Sequence, residues 1–406
     1  MEGLFADASV AIISDVTCKR YIRMLSTWDH STNWFEHVFG GFENGMANLY
    51  GKDPEWFLAD YGAMIDWCAE NGIDAIGIRG LLRDRHHDFW DPKRPARDFG
   101  VEEARKVCAY GRERGVRIVL TAGLFRDGGV YYESGNYGPV SDWSLDVFLE
   151  KNSDCQARDK SGALLFDCPK APFGHLRRAI GDPSNPKLQK YALESVGWVL
   201  GAVPELGGVQ FDCESPAGSC DGFAAQVKAT VRAHSSDVWI VSETEPSDLN
   251  CLTVGRVRAN ARWGFGGRDY LALEEIRRDC RMIQDHGVDG FVMEAGASPY
   301  RANAEFNYLA FAFFAADSSR TIADFVRERM APRLGGVGPA ERYVALAAGV
   351  DDLSKVPACV REIASLAAEA GDVVAKGRWY SLADFLLKPR WEAEMRERDS
   401  AMGRAG

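Results

Sequence analysis

AENGIDAIGI, residues 69–78, joins a helix end, a turn and the start of a strand in one short run. Gly72 is a good residue for the position just past a helix C-terminus, where the backbone turns left-handed. A β-branched residue follows, then a polar one, then an apolar strand. The plan recurs in RERGVRIVL (112–120), PELGGVQF (204–211) and QDHGVDGFVM (284–293). In each, Gly closes the helix and the chain turns directly into a buried strand. Repeated helix–Gly–strand units are the signature of βα units and a parallel sheet.

Further strands are expected at 21–28 (YIRMLSTW) and in VWIVSETE (238–245), with weaker ones at 250–255 and within RANARWGF (258–265). The expected set is 21–28, 74–81, 116–123, 208–214, 238–244, 250–255, 259–264 and 289–295. Eight parallel strands predict an α/β fold, a (β/α)8 TIM barrel, which takes about 250 residues or more. No GxGxxG or Walker loop follows any strand, which disfavours an open doubly wound sheet. Asp53–Pro54 and Asn185–Pro186 read as helix N-cap and first-turn pairs. A long insertion, about 126–185, separates the third strand from its helix and is rich in Gly, Asp, Pro and aromatics. A loop of that length suits a lid or a substrate-binding wall. The expected organisation is a catalytic barrel over 1–300 and a helical C-terminal region, 301–406, packed on it.

Among 406 residues, 46% are hydrophobic and 26% charged, as in an ordinary globular protein, and the net charge is −11. With an isoelectric point of about 5.3, nucleic acid and anionic membrane surfaces are not expected partners. MEGLFADASVAIISD has no basic n-region, so the expected location is the cytoplasm, with export of a longer precursor left open. The longest apolar run, YLAFAFFAA (308–316), is about half of what spans a bilayer. The 10 Cys form no CxxC. Cys68, Cys108 and Cys280 fall on apolar helix faces and read as free thiols, whereas Cys155 with Cys168, or Cys213 with Cys220, would have the spacing to pair in an exported protein.

The chemistry points to GGVQFDCES (207–215). At period two, Val209, Phe211 and Cys213 face one way, and Gln210, Asp212 and Glu214 the other. Two carboxylates thus share one face at the C-terminal end of a strand, the end that carries the active site in a parallel barrel. Holding both there costs free energy unless the site uses them or arginines pair with them. Glu243 shares a face with Trp239 and Val241, and Glu294 ends the last strand beside Val292, so both reach the same rim. A ring of acids suits acid/base work on an acetal: one carboxyl protonates the leaving oxygen and a second acts as nucleophile, as base to water, or as orienter of a substrate group. Candidate substrate-binding residues are Trp28, Asp29 and His30 after the first strand, Arg79 after the second, Trp263 and Tyr300. Trp28 and Trp263 could stack on sugar faces or serve as core aromatics; Arg79 faces inward and could bind a carboxylate or fix a catalytic acid. His86–His87, with Asp84 and Asp88, resembles a metal site only superficially and reads as a solvated loop, so neither metal nor cofactor is expected.

GGVQFDCE resembles the strand-four signature of family 18 chitinase-like hydrolases, Asp-Gly-x-Asp-x-Asp-x-Glu. Asp212 and Glu214 match its last two acids, while Gly207 and Gln210 stand at its first two Asp positions. The resemblance implies Glu214 as general acid and Asp212 as orienter of a substrate acetamido group. The order of elements is also similar to barrel glycosidases of the hexosaminidase and α-glucuronidase type, in which a helical region follows the barrel. Together these imply a glycoside hydrolase acting on an oligo- or polysaccharide, with Glu243 or Glu294 as partner acid. Two alternatives stay open: a metal-dependent or metal-free sugar isomerase or lyase, and a carbohydrate-binding barrel without catalysis. No expected strand ends in Lys, which counts against a Schiff-base aldolase.

Overall fold

The structure, a computed structural model, describes residues 21–28, 54–82, 99–132, 142–166, 179–213, 216–218, 220, 222–243, 252–257, 270–295, 303–348 and 353–402. Strand β1 (Ile22–Trp28) is followed by α1 (Pro54–Asn71), β2 (Ala75–Arg79), α2 (Phe99–Glu113) and β3 (Arg117–Gly123). Next come α3 (Leu145–Lys151), α4 (Pro186–Ala202), β4 (Gly208–Asp212), α5 (Phe223–His234), β5 (Trp239–Ser242), β6 (Leu252–Val257), α6 (Leu273–Asp285) and β7 (Gly290–Glu294). The helical remainder is α7 (Ala304–Ala316), α8 (Ile322–Phe325), a π-helical turn (Val326–Met330), α9 (Ala331–Leu334), α10 (Val337–Ala348), α11 (Val356–Glu369) and α12 (Val373–Met402).

All neighbouring strands are parallel and the sheet closes on itself, with β7 pairing β1 at Ile22↔Gly290 through Ser26↔Glu294. The parallel barrel with helices between strands is the expected architecture, with seven described strands in the ring instead of eight. β6 pairs directly with β7 from Val254↔Gly290 to Val257↔Met293, so the ring closes without a further strand between them. The strand expected at 259–264 lies outside the described residues, as do Asp53 and Cys168.

Alternation along the strands decides which side chains face the barrel axis. Met24, Ala75, Val119, Val241, Val254 and Val292 form one interior cluster. Their sequence neighbours, among them Leu25, Ile76, Ile118 and Phe291, pack with Val209 of β4 against the helices in a larger cluster that runs on through α7 and α12. Small and β-branched residues inside suit the narrow lumen of a parallel barrel.

Three of the four glycines that end the repeated motif adopt the left-handed conformation: Gly72 (φ 72°), Gly115 (φ 74°) and Gly287 (φ 71°). Gly207 does not act this way, because α4 has already ended at Ala202. A Cβ there would lie 2.8 Å from Arg117 Cβ, so close approach of β3 excludes a side chain. Asn185 caps α4 as expected, accepting the Lys187 N–H at 3.0 Å ahead of Pro186.

Part of the insertion after β3 is folded onto the barrel wall. Helix α3 buries Leu145, Val147 and Leu149, and antiparallel bridges Gln156↔Gly181 and Phe166↔Ala179 tie the rest together. Trp143 stacks between Trp198 (5.4 Å) and Tyr191 (6.5 Å) of α4. Cys155 is buried and holds a free thiol. Cys68 and Cys280 are buried too, and burial pushes their thiols up.

Helix α7 is apolar all round and buries every residue from Ala304 to Ala315, as a helix enclosed on all sides must. Each Phe there contributes about 1.5–3 kcal/mol. Buried Glu305 and Asn307 are the exceptions, and Asn307 bonds to the Ala272 N–H and the Tyr270 carbonyl. Arg378 of α12 grips Glu305 at 2.6 and 2.9 Å and Arg333 of α9 at 3.2 Å. Among the described residues no helix is long and apolar enough to cross a membrane.

Candidate active site

The C-terminal ends of the strands carry the polar side chains. Continuing the alternation past the apolar interior cluster brings Trp28, Arg79, Thr121, Gln210, Asp212, Glu243, Arg256 and Glu294 to the barrel mouth. The parity expected from the sequence holds at β4: Val209, Phe211 and Cys213 face the helices. Gln210 and Asp212 turn the other way and bond to groups of the mouth.

Glu243 sits one residue past β5 and keeps the inward register. Gln210 Nε2 donates to its Oε1 at 2.7 Å, and Gln210 Oε1 accepts from Thr121 Oγ1 at 3.4 Å. Arg256, from β6, donates to both oxygens of Glu243, Nε to Oε2 at 2.6 Å and Nη2 to Oε1 at 2.5 Å. This two-pronged pairing is the strongest form of guanidinium–carboxylate contact. The third nitrogen, Nη1, reaches Glu294 Oε2 at 3.4 Å. One arginine therefore spans two carboxylates in unequal grip. Glu243 raises the pKa of Arg256 still further, so the guanidinium stays charged.

Glu294, the last residue of β7, keeps 35% of its side-chain surface open to the mouth. Burial raises its pKa above the ordinary carboxylate value, more than Arg256 and Arg79 lower it, and the nearby Glu243 charge adds to the rise.

On the opposite side, Asp212 accepts from Arg126 Nη2, and Arg79 Nη1 donates to Asp127. Arg126 and Asp127 follow β3 in the run Arg126-Asp127-Gly128-Gly129, where Asp127 (φ 56°), Gly128 (φ 81°) and Gly129 (φ 77°) are all left-handed. Asp is one of the few residues with a side chain that tolerate this region. The turn folds the loop back over the mouth, so two charged side chains of β3's loop pair with β2 and β4. Arg79 also lies 5.6 Å from the centre of the Trp28 ring, and Tyr132 meets that ring edge-on at 5.7 Å. One contact on Trp28 is thus taken by a cation of the protein itself.

Of the residues singled out in the sequence, the mouth brings together Asp212, Glu243, Glu294, Arg79 and Trp28. Arg79 meets Asp127, not one of the candidate acids. Glu214, Asp29, His30, Trp263 and Tyr300 lie outside the described residues, as do His86 and His87. Among the described residues, no group of three His, Cys, Asp or Glu is arranged to hold a metal ion. Sequence reading missed Arg126, Asp127 and Arg256. Arg256 had a signal: in LTVGRV it shares parity with Leu252 and Val254, so an inward arginine was readable once the strand was placed.

No family model matches the chain, and no curated protein matches its sequence. Several solved structures similar to it are carbohydrate-degrading enzymes. A GH138 enzyme targeting pectin rhamnogalacturonan II is 10% identical, with a TM-score of 0.48 over 91% of this chain and 56% of that one. A noncanonic maltogenic α-amylase, AmyB from Thermotoga neapolitana, is 13% identical, with a TM-score of 0.40 over 67% and 58%. The catalytic module of the glycogen-degrading pneumococcal virulence factor SpuA is 11% identical, with a TM-score of 0.40 over 77% and 48%. The chain spans about half the length of these proteins.

Proposed function

We propose that the protein is a glycosidase that hydrolyses an O-glycosyl bond of an oligo- or polysaccharide at the C-terminal mouth of its barrel. One observation carries this reading: three inward carboxylates share the mouth in unlike surroundings. Asp212 and Glu243 face guanidinium groups closely, while Glu294 is raised by desolvation. Acetal cleavage needs such an inequality. A protonated carboxyl must give its proton to the leaving oxygen, and an ionised one must attack, activate water or stabilise the oxocarbenium-like transition state. Glu214, the acid implied by the family-18-like pattern, follows Asp212 at the same parity and belongs to the same candidate set.

A second reading, a carbohydrate-binding barrel without turnover, is favoured by one fact: each of the three acids also meets an arginine, as in a purely structural ion-pair network. A panel of α- and β-aryl glycosides, with and without a 2-acetamido group, separates the two. Wild type is compared with Asp212→Asn, Glu214→Gln and Glu294→Gln. Turnover on one sugar, lowered about 10²–10⁴-fold by loss of a participating carboxyl, supports the glycosidase. Sugar binding retained in every variant, with no turnover in wild type, would replace it with the binding barrel.

A further inference from the structure

The mouth holds one arginine between two glutamates, and its three nitrogens are not shared equally. Nε and Nη2 go to the two oxygens of Glu243 at 2.6 and 2.5 Å, and Nη1 alone reaches Glu294 at 3.4 Å. A guanidinium is planar, so fixing two of its nitrogens on Glu243 fixes the direction of the third. Gln210 holds the same Glu243 from the next strand at 2.7 Å, and Thr121 contacts Gln210 at 3.4 Å. The chain Thr121–Gln210–Glu243–Arg256 thus crosses four adjacent strands and ends on Glu294.

We infer that Arg256 is a positioning residue that divides the labour of the two carboxylates it touches: it holds Glu243 in a two-pronged ion pair and leaves Glu294 as the group that carries and delivers the proton. This rests on the glycosidase reading above. Glu294 gives its proton to the glycosidic oxygen as the bond to the anomeric carbon breaks and the electron pair leaves with that oxygen. Water then supplies a hydroxyl to the anomeric carbon and its proton to a carboxylate of the mouth. Among the described residues, the charged groups that bear on Glu294 include Arg256 from β6, Glu243 beyond β5 and Arg79 from β2; on β1 its register partner is the uncharged Ser26. Taking away Arg256 removes an attraction to the ionised form and exposes Glu294 to the unbalanced charge of Glu243. Both changes favour the proton on Glu294.

The test follows two readouts in wild type, Arg256→Met and Arg256→Lys. The first is the alkaline limb of kcat/KM on the responding aryl glycoside, where rate is lost as the acid deprotonates. The second is the pH titration of protonated-carboxyl infrared absorbance, assigned to Glu294 by its disappearance in Glu294→Gln. In Arg256→Met both move to higher pH by about one to two units, with kcat down about 10²-fold. Arg256→Lys keeps the charge and loses the fork, so kcat falls while both titrations stay near wild type; it also tests the idea if the Met variant does not fold. Unchanged titrations in Arg256→Met, or an Arg256→Lys enzyme with wild-type kcat, would overturn the inference with the glycosidase intact. An alkaline limb abolished by Glu214→Gln but unmoved by Arg256→Met would give the donor role to Glu214. If no aryl glycoside turns over, the glycosidase reading fails by itself, and the infrared titration still decides whether Arg256 sets the proton on Glu294.

Discussion

Two clusters in this molecule are built from the same parts and arranged in opposite proportion. At the barrel mouth one arginine serves two glutamates, Glu243 and Glu294. Between α7, α9 and α12, two arginines serve one glutamate, Glu305. Two cations enclose one buried carboxylate, and the cluster acts as a clamp that ties α7 to α9 and α12. At the mouth, Arg256 grips Glu243 with two nitrogens and reaches Glu294 with one, and burial raises the pKa of Glu294. Both clusters answer the desolvation of a buried charge, and in the function proposed above the mouth cluster is the one that moves a proton.

The largest expected effect tests the clamp. Glu305→Ala strands two guanidinium groups in the interface, and unfolding by urea should show a loss of about 3–5 kcal/mol. Glu294→Gln should lose turnover while leaving stability within about 1 kcal/mol of wild type. Equal destabilisation by the two would erase the distinction. Within the clamp, Arg378 supplies two bonds to Glu305, at 2.6 and 2.9 Å, and a third to the Arg333 carbonyl at 3.2 Å, whereas Arg333 supplies one to Glu305 at 3.2 Å. Arg378→Met is expected to cost about 3 kcal/mol and Arg333→Met about 1 kcal/mol; a reversed order in thermal denaturation would mean that packing, not pairing, holds α12.

The smallest effect is a pH dependence. The pKa of Glu294 is raised in the folded chain, so the folded state keeps a proton that the unfolded chain has released. Its contribution to stability is complete below the unfolded carboxylate value and is lost as pH rises through the raised folded value. Glu294→Gln should therefore match wild type in acid and exceed it near neutrality, by an amount on the order of 1 kcal/mol or less given the open mouth. A difference that grows toward acid would reverse the assigned direction of the shift.

The barrel was legible because its punctuation is local: a left-handed Gly after each of three helices needs no knowledge of what lies across the sheet. The inward face of β4, β5 and β7 was legible for the same reason, since parity is a property of one strand. What escaped was whatever depends on two distant segments. Arg126 and Asp127 belong to a loop whose direction is set by three left-handed residues, and nothing near them in the chain names Asp212 or Arg79 as partners. Glu305 opens a helix that reads as continuous apolar surface, and its two arginines follow well downstream. The strand expected at 250–255 to fill out the count is β6, Leu252–Val257, and it pairs directly with β7.

Closure itself has a kinetic consequence. β1 completes the ring by pairing with β7, so Ile22 must meet Gly290 after nearly all of the barrel has been assembled. Local βα units can form early, but this last pairing bears the entropy of a very long loop and sets a high contact order. Until it forms, β1 and β7 each present an unpaired edge, and α7, whose apolar surface surrounds the whole helix, has no finished wall to cover. Refolding should therefore be slow and prone to association at that seam.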